Sequence, residues 1–137
     1  MNRTTPKLRI YAERLTAHEM RRNASSKPNP TAAFVVIEKL SPHFSALMGV
    51  AGFRALISRA LVLASAEVAC LSELHVRADG SFEGLNEFEA QANPEEIAAG
   101  GLVLLARLLG LLVTLIGENL TLQLLNNVNG FQLIPED

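Results

Sequence analysis

The most apolar stretch of the chain runs from Gly100 to Val128 and consists largely of Leu, Val and Ile. It is too apolar to lie on a surface and too long for a strand, so it predicts a buried helix around which the rest of the chain folds. Asn93, an N-cap candidate, and Pro94, suited to the first helical position, mark its start. Asn129 and Gly130 tolerate the left-handed conformation that ends many helices. We therefore expect one uninterrupted helix between these two signals.

A narrow polar stripe interrupts the apolar circumference of this helix. Steps of three, four and seven residues from Arg107 lead through glycines and threonines to Glu118. Arg107 and Glu118 lie three turns apart, too far for a direct ion pair with each other. Each charge therefore needs a partner elsewhere, because a buried charge without a partner is strongly destabilising.

The first part of the chain predicts an amphipathic helix followed by a polar connection. Residues 6–22 place apolar side chains at helical spacing, and residues 23–29 are polar and contain a proline. The interpretation is a basic N-terminal helix and linker at residues 1–27, attached to a helical core domain at residues 28–137.

Three further helices are predicted in the middle of the chain, at 31–40, about 42–48 and about 52–75. A Ser–Pro pair, typical of a helix start, separates the first two. Gly49 and Gly52 predict a turn or kink between the second and the third. The acidic connection that follows, up to Asn93, predicts a loop tacked onto the helices by a few apolar residues.

The third of these helices resembles the C-terminal one, because it also has wide apolar flanks and one thin polar stripe, which includes Arg54 and has Arg59 beside it. Two such helices joined by a loop are expected to pack as an antiparallel pair, with these arginines close to Glu118 or Glu67. The predicted fold class is all-α: a compact bundle of about four to five helices around a long hydrophobic C-terminal helix.

Four charged residues form the candidate site, which we call the polar seam: Arg54, Arg59, Arg107 and Glu118. One interpretation is that they line a groove for a ligand or a partner. The other is that they satisfy groups on neighbouring helices of the same fold, since structural ion pairs imitate functional sites. The sequence leaves both open.

Composition favours a helical core in a reducing compartment. The chain has 137 residues, of which 49% are hydrophobic but only 5% aromatic, so the core must be built from Leu, Ala and Val. Cys70 is the only cysteine, which excludes an internal disulfide and is typical of the cytoplasm. The N-terminal residues lack the apolar segment of a signal peptide. We therefore expect a cytoplasmic protein.

No motif predicts catalysis, a cofactor or a metal. The acidic loop matches the start of a calcium-binding loop at Asp79 and Glu83, but Ala90 stands where the last, bidentate Glu is required. The three histidines have no ligand spacing, and no phosphate-binding glycine loop or nucleophile elbow is present. We expect no catalytic, cofactor-binding or metal-binding residues, and the lack of such motifs favours a protein that is not an enzyme.

Charge and hydropathy limit the partners. The residues up to Lys27 carry a net charge of +5, and those from Glu73 to Glu96 carry −6. Nucleic acid is not the expected partner, because the acidic segment would repel phosphate. A membrane hairpin is an alternative, since residues 101–117 carry a single charge, but the aromatic and basic flanks of a typical span are missing.

The leading hypothesis is a non-enzymatic helical protein–protein interaction or adaptor module that forms homo-oligomers. The apolar surface of two long helices exceeds what the shorter elements can cover, so a second copy would complete the burial. One alternative is a small-molecule binder or enzyme with a pocket between helices lined by the polar seam. The other is a small membrane-associated helical hairpin.

Overall fold

The computed structural model describes residues 6–22, 31–78 and 82–129. The elements, in chain order, are α1 (Pro6–Arg22), α2 (Ala32–Met48), α3 (Val50–Glu67), a short 3-10 helix (Ala69–Glu73), β1 (His75–Val76), β2 (Phe82–Glu83), α4 (Leu85–Gln91), α5 (Pro94–Ile116) and α6 (Glu118–Asn129). The described residues thus contain six α-helices packed together, and the predicted all-α bundle is confirmed with slightly more helices than expected.

The predicted start of the central helix is confirmed. The backbone N–H of Glu96 donates to the side-chain oxygen of Asn93 at 2.8 Å, and the N–H of Asn93 donates back to the Glu96 carboxylate at 3.2 Å. Pro94 occupies the first turn, where a missing N–H costs nothing. This reciprocal pair satisfies two backbone donors that the first turn of a helix otherwise leaves without partners.

The prediction of a single helix to position 128 is wrong, because the chain breaks at Gly117. This glycine has φ +90° and ψ 156°, a backbone conformation that is essentially restricted to glycine. α5 therefore ends at Ile116, and α6 turns so that Leu122 and Leu125 join the core. Continuing straight would have carried these two leucines away from the other helices.

The boundary predicted at Ser41 and Pro42 is also wrong, because α2 continues through both residues to Met48. A proline inside a helix costs about 3 kcal/mol. Leu40 and Phe44 on either side are both fully buried, and burial of two large side chains offsets that cost. Pro42 itself is exposed on the outer side of the helix.

The turn predicted near Gly49 is confirmed. Gly49 alone separates α2 from α3, with φ +88°. Gly52 lies inside α3 without disturbing it, and α3 ends at Glu67 rather than near position 75. Gly84, in the left-handed conformation, precedes α4, a short helix in a segment that we expected to be a loop.

α5 lies at the centre of the bundle and packs against α1, α2, α3 and α6. The contacts with α3 follow an antiparallel order, because Gly100 lies against Leu71, just beyond α3, whereas Arg107 further along α5 bonds Glu67. The predicted antiparallel packing of the two long apolar helices is therefore present.

Phe34 of α2 contacts Phe82 and Phe88 edge to face, and these three rings cover the end of the core beside the acidic segment. The acidic segment is thus attached to the core by apolar residues, as predicted.

α1 contributes to the same core through Tyr11, Ala12 and Leu15, all buried. The predicted linker at residues 23–29 and the domain boundary between residues 27 and 28 lie outside the described residues. The same is true of the chain beyond Asn129.

Candidate functional site

Arg107 of the polar seam forms an ion pair with Glu67. Its Nε lies 2.7 Å and its Nη2 lies 2.5 Å from the same carboxylate oxygen, Oε2. The Arg107 side chain is 9% exposed, and the Glu67 side chain is 35% exposed. The central helix can hold a charged residue because the last residue of α3 supplies the opposite charge at the edge of the core. Arg107 therefore links α5 to α3.

Glu118, the acid of the polar seam, lies at the first position of α6 and bonds α1. The hydroxyl of Tyr11 donates to Glu118 Oε2 at 3.1 Å. Tyr11 is buried, so its hydroxyl needs such an acceptor. A carboxylate in the first turn of α6 also lies favourably at the positive end of that helix. This contact holds the break between α5 and α6 against α1.

The two arginines of α3 lie elsewhere. Arg54 and Arg59 are both exposed. The Nε of Arg54 donates to the backbone oxygen of Arg77 at 3.1 Å, which ties α3 to the chain beyond β1. Neither arginine shows an ion pair with Glu67 or Glu118, the acids that the sequence suggested as partners. The polar seam is thus divided among three places, and its four residues do not line one pocket.

A second ion pair between helices was missed by the sequence analysis. Nζ of Lys39 on α2 lies 2.7 Å from Glu19 Oε1 on α1, and the Glu19 side chain is only 3% exposed. A signal was present, because Glu19 continues the buried positions Tyr11 and Leu15 at steps of four residues. A charge at a core position of an amphipathic helix predicts a partner on the facing helix.

An apolar groove of about 420 Å³ lies between α3 and the chain from Ser72 to Val76, and we call it the α3 groove. It forms because the chain turns back after the 3-10 helix and runs beside α3 through β1. Val62, 70% exposed, is the most exposed of the large apolar side chains that the structure describes. The full lining is Ser58, Leu61, Val62, Ser65, Ser72, Leu74, His75 and Val76.

Two of the three serine hydroxyls in the α3 groove are already used by the backbone. Ser65 Oγ donates to the oxygen of Leu61 at 2.7 Å, and Ser72 Oγ donates to the oxygen of Ala69 at 2.9 Å. His75 is the one ionisable residue of the lining, so no carboxylate orients it there. The groove therefore offers apolar contact rather than an assembled acid and base.

The only thiol, Cys70, lies in the 3-10 helix beside the start of α5. It borders a small cavity of about 220 Å³ together with Glu73, Phe88 and Glu96. Burial, and next the negative charge of Glu96, raise the pKa of the Cys70 thiol. A thiol with a raised pKa is a poor nucleophile and a poor metal ligand at neutral pH.

Metal-ligand side chains do not cluster in the part of the chain that the structure describes: no three residues of His, Cys, Asp or Glu come together there. Asp79, the first position of the partial calcium-loop match, lies outside that part. Within it, α5 is the one helix long and apolar enough to cross a membrane, and 56% of its most apolar window is buried against other helices.

Smaller apolar surfaces flank the two glycine turns. Leu47 and Val50 stand on either side of Gly49, and Leu115 and Leu120 stand around Gly117, all exposed by at least 41%. Since α3 and α5 are antiparallel, both turns lie toward the same end of the bundle. These side chains are dispersed around turns, whereas the α3 groove is a continuous concave surface.

Comparison of the chain with protein-family models, with curated proteins and with solved structures gave no match.

Proposed function

We propose that the protein is a non-enzymatic helical interaction or adaptor module of the cytoplasm that forms homo-oligomers, with the α3 groove as its contact surface. The observation that carries this proposal is the exposure of Val62 within an apolar groove. A single exposed apolar residue is ordinary on a protein surface. A concave apolar surface around it is typical of a contact site.

The outer face of α3 supports the proposal because it contains little that would resist burial. Ala51, Ala55 and Ala66 are exposed at helical spacing with Val62. Alanine has no side-chain rotamers to lose on association, and burying one valine contributes about 1.5 kcal/mol. A second helix can therefore approach this strip of α3 closely.

The alternatives have less support. A binding or catalytic pocket lined by the whole polar seam needs Arg54, Arg59, Arg107 and Glu118 in one place, and they lie in three. A membrane hairpin needs α5 to face lipid, yet the buried residues Val103 to Leu109 are consecutive, which surrounds that part of the helix with protein.

The test is the oligomeric state measured by light scattering and sedimentation equilibrium. We expect the wild-type protein to be a dimer or a larger oligomer, and Val62→Asp to shift it to a folded monomer, with folding checked by circular dichroism. Leu115→Asp, a charge placed at another exposed apolar position, is the matched control and should leave the oligomer intact. A wild-type protein that stays monomeric over the whole accessible concentration range contradicts the proposal.

A further inference from the structure

We propose that two copies pack α3 against α3 in an antiparallel arrangement, about a two-fold axis that passes between Val62 and Leu63. This inference rests on the proposed self-association and specifies its geometry. The arrangement is an isologous contact, in which each copy offers the same surface to the other. The occupant of each α3 groove is then the second copy of the chain.

The distribution of charge along α3 selects the antiparallel orientation. Both arginines, Arg54 and Arg59, lie in the first ten residues of the helix, and its only acid, Glu67, is the last residue. A parallel pair would place each exposed arginine beside its own copy, which is repulsive. An antiparallel pair places the basic half of one α3 beside the acidic end of the other, which is attractive.

The register follows from matching the ionic groups across the two-fold axis. With the axis between Val62 and Leu63, Arg59 of one copy is level with Glu67 of the other to within one residue rise, about 1.5 Å. Eight residues correspond to about 2.2 helical turns, so Glu67 lies about 80° further around α3 than Arg59, and both lie on the same side of Val62. A two-fold axis perpendicular to both helices places this edge of α3 in both copies on the same side of the dimer, so the two residues can meet.

The local structure leaves this approach open. Arg59 is exposed and makes no ion pair with the residues that the structure describes. Glu67 bonds Arg107, and its side chain is still 35% exposed. Arg59 of the second copy would therefore extend the ion pair of Arg107 and Glu67 into a group of three, in which the acid lies between two cations.

The apolar contacts suit the same register. Val62 of each copy lies next to the axis, where it faces the groove wall formed by Leu61 and Ser65 of the other copy. Ala55 and Ala66, on the same face, allow the helix backbones to approach closely. The most exposed large apolar side chain of each copy is thereby buried at the centre of the interface, where contact energy concentrates.

Disulfide crosslinking tests the orientation directly, in full-length chains that carry Cys70→Ser. We expect Val62→Cys to form a covalent dimer under mild oxidation, because the two copies of position 62 meet near the axis. Ala51→Cys lies on the same face but about 34 Å from its own copy in an antiparallel pair, so it should not crosslink. Ala98→Cys, exposed on α5, is the control for random collision.

Each outcome decides between the orientations. Crosslinking at both position 51 and position 62 means a parallel pair and overturns the inference. Crosslinking at neither position in a wild-type oligomer means another interface, which overturns the inference and the α3 groove as contact surface but leaves self-association standing. A monomeric wild type overturns both self-association and its geometry.

Charge substitution tests the register. Arg59→Glu should raise the dimer dissociation constant about tenfold or more, because it places two acids together, and the effect should weaken with added salt. Arg54→Gln, the matched control, should change the constant by less than about threefold, since a surface arginine without a facing acid contributes little. Equal effects of the two substitutions, or none from Arg59→Glu, overturn the register.

Discussion

Helices α3 and α5 are alike in sequence and differ in their surroundings. Both consist of Leu, Ala, Val and Ile with a few polar residues. The buried residues of α5 include an unbroken run from Val103 to Leu109, so two turns of this helix are covered on every side. Those of α3, from Phe53 to Ala64, recur every three or four residues, with Ala60 and Leu61 adjacent, and form one face. Hydropathy alone therefore does not tell a central helix from a peripheral one.

The two helices also differ in whether their charged residues need partners. α5 is surrounded, so Arg107 requires a partner from a neighbouring helix, and it takes Glu67. α3 has an open side, so Arg54 and Arg59 reach solvent without any such requirement. A charge on the central helix is therefore part of the packing, whereas a charge on the open face of α3 is available for contact with another molecule.

The largest expected effect is on stability, and it differs between the two helices because α5 is buried more completely than α3. Leu108→Ala on α5 should lower the free energy of unfolding by about 2–5 kcal/mol, because it leaves a cavity at a fully buried position. Val62→Ala on α3, measured at a concentration low enough to favour the monomer, should change it by less than about 0.5 kcal/mol. Urea denaturation of both variants measures the difference. Leu115→Ala, exposed on α5, is the control, and similar losses at 108 and 115 would contradict the burial described for α5.

The next effect concerns the ion pair that joins the helices. Glu67→Gln should lower the free energy of unfolding by about 1–3 kcal/mol, because it leaves the buried Arg107 guanidinium without a countercharge. Arg107→Met should cost less, since the half-exposed Glu67 carboxylate can then be hydrated and the methionine fills the space. Thermal denaturation of the two variants shows which of the two losses of stability is larger. A larger loss for Arg107→Met would mean that the packing of the arginine side chain, rather than its charge, dominates.

A smaller effect distinguishes the glycine that ends α5 from a glycine inside α3. Gly117→Ala should destabilise the protein by about 1–2 kcal/mol, because alanine is strained at φ +90° although the space around the position is open. Gly52→Ala should stabilise it by about 0.5–1 kcal/mol, since a methyl group there meets only the Met48 side chain at ordinary contact distance. We expect the two substitutions to shift the denaturation midpoint in opposite directions from that of the wild-type protein. A neutral Gly117→Ala would show that the chain can leave this conformation without loss.

The smallest effect concerns Cys70, which lies between the end of α3 and the start of α5. Its raised pKa disfavours the thiolate, so alkylation by iodoacetamide at neutral pH should be slower than for a small free thiol and should accelerate only at higher pH. The rate as a function of pH, followed by mass spectrometry, checks this. A rate equal to that of glutathione at pH 7 would contradict the burial of the thiol. Unfolding in urea, which removes the burial, should restore the ordinary rate.

Much of the fold follows from local signals. The start of α5 was predicted from Asn93 and Pro94, because a helix cap needs only the residues of the first turn, as the hydrogen bonds between Asn93 and Glu96 show. The turn at Gly49 was predicted because glycine adopts its conformation without strain. The breaks at Pro42 and Gly117 were misjudged, since each depends on what lies across the core: buried neighbours hold α2 straight through a proline, and the core draws α6 back at a glycine.

The candidate site was less predictable. The sequence showed that Arg107 and Glu118 each require a partner, but several groups of suitable charge were available. Positions along the chain do not give the distances between these groups in the folded protein. Glu19 and Lys39 were missed as a pair because they come from different helices. Arg54 was placed on the polar stripe of α3 and Arg59 beside it, yet both side chains are exposed and neither lies with Arg107 or Glu118.

By itself the amino-acid sequence determined the helical class of this protein, the start of its central helix and the presence of charges that need partners, because periodicity and capping act over a few residues. Only the tertiary structure decided which helix is surrounded, which acid neutralises Arg107 and which apolar face stays open around Val62. These outcomes depend on contacts between residues tens of positions apart, and such contacts are selected by the packing of the whole bundle rather than by any one segment.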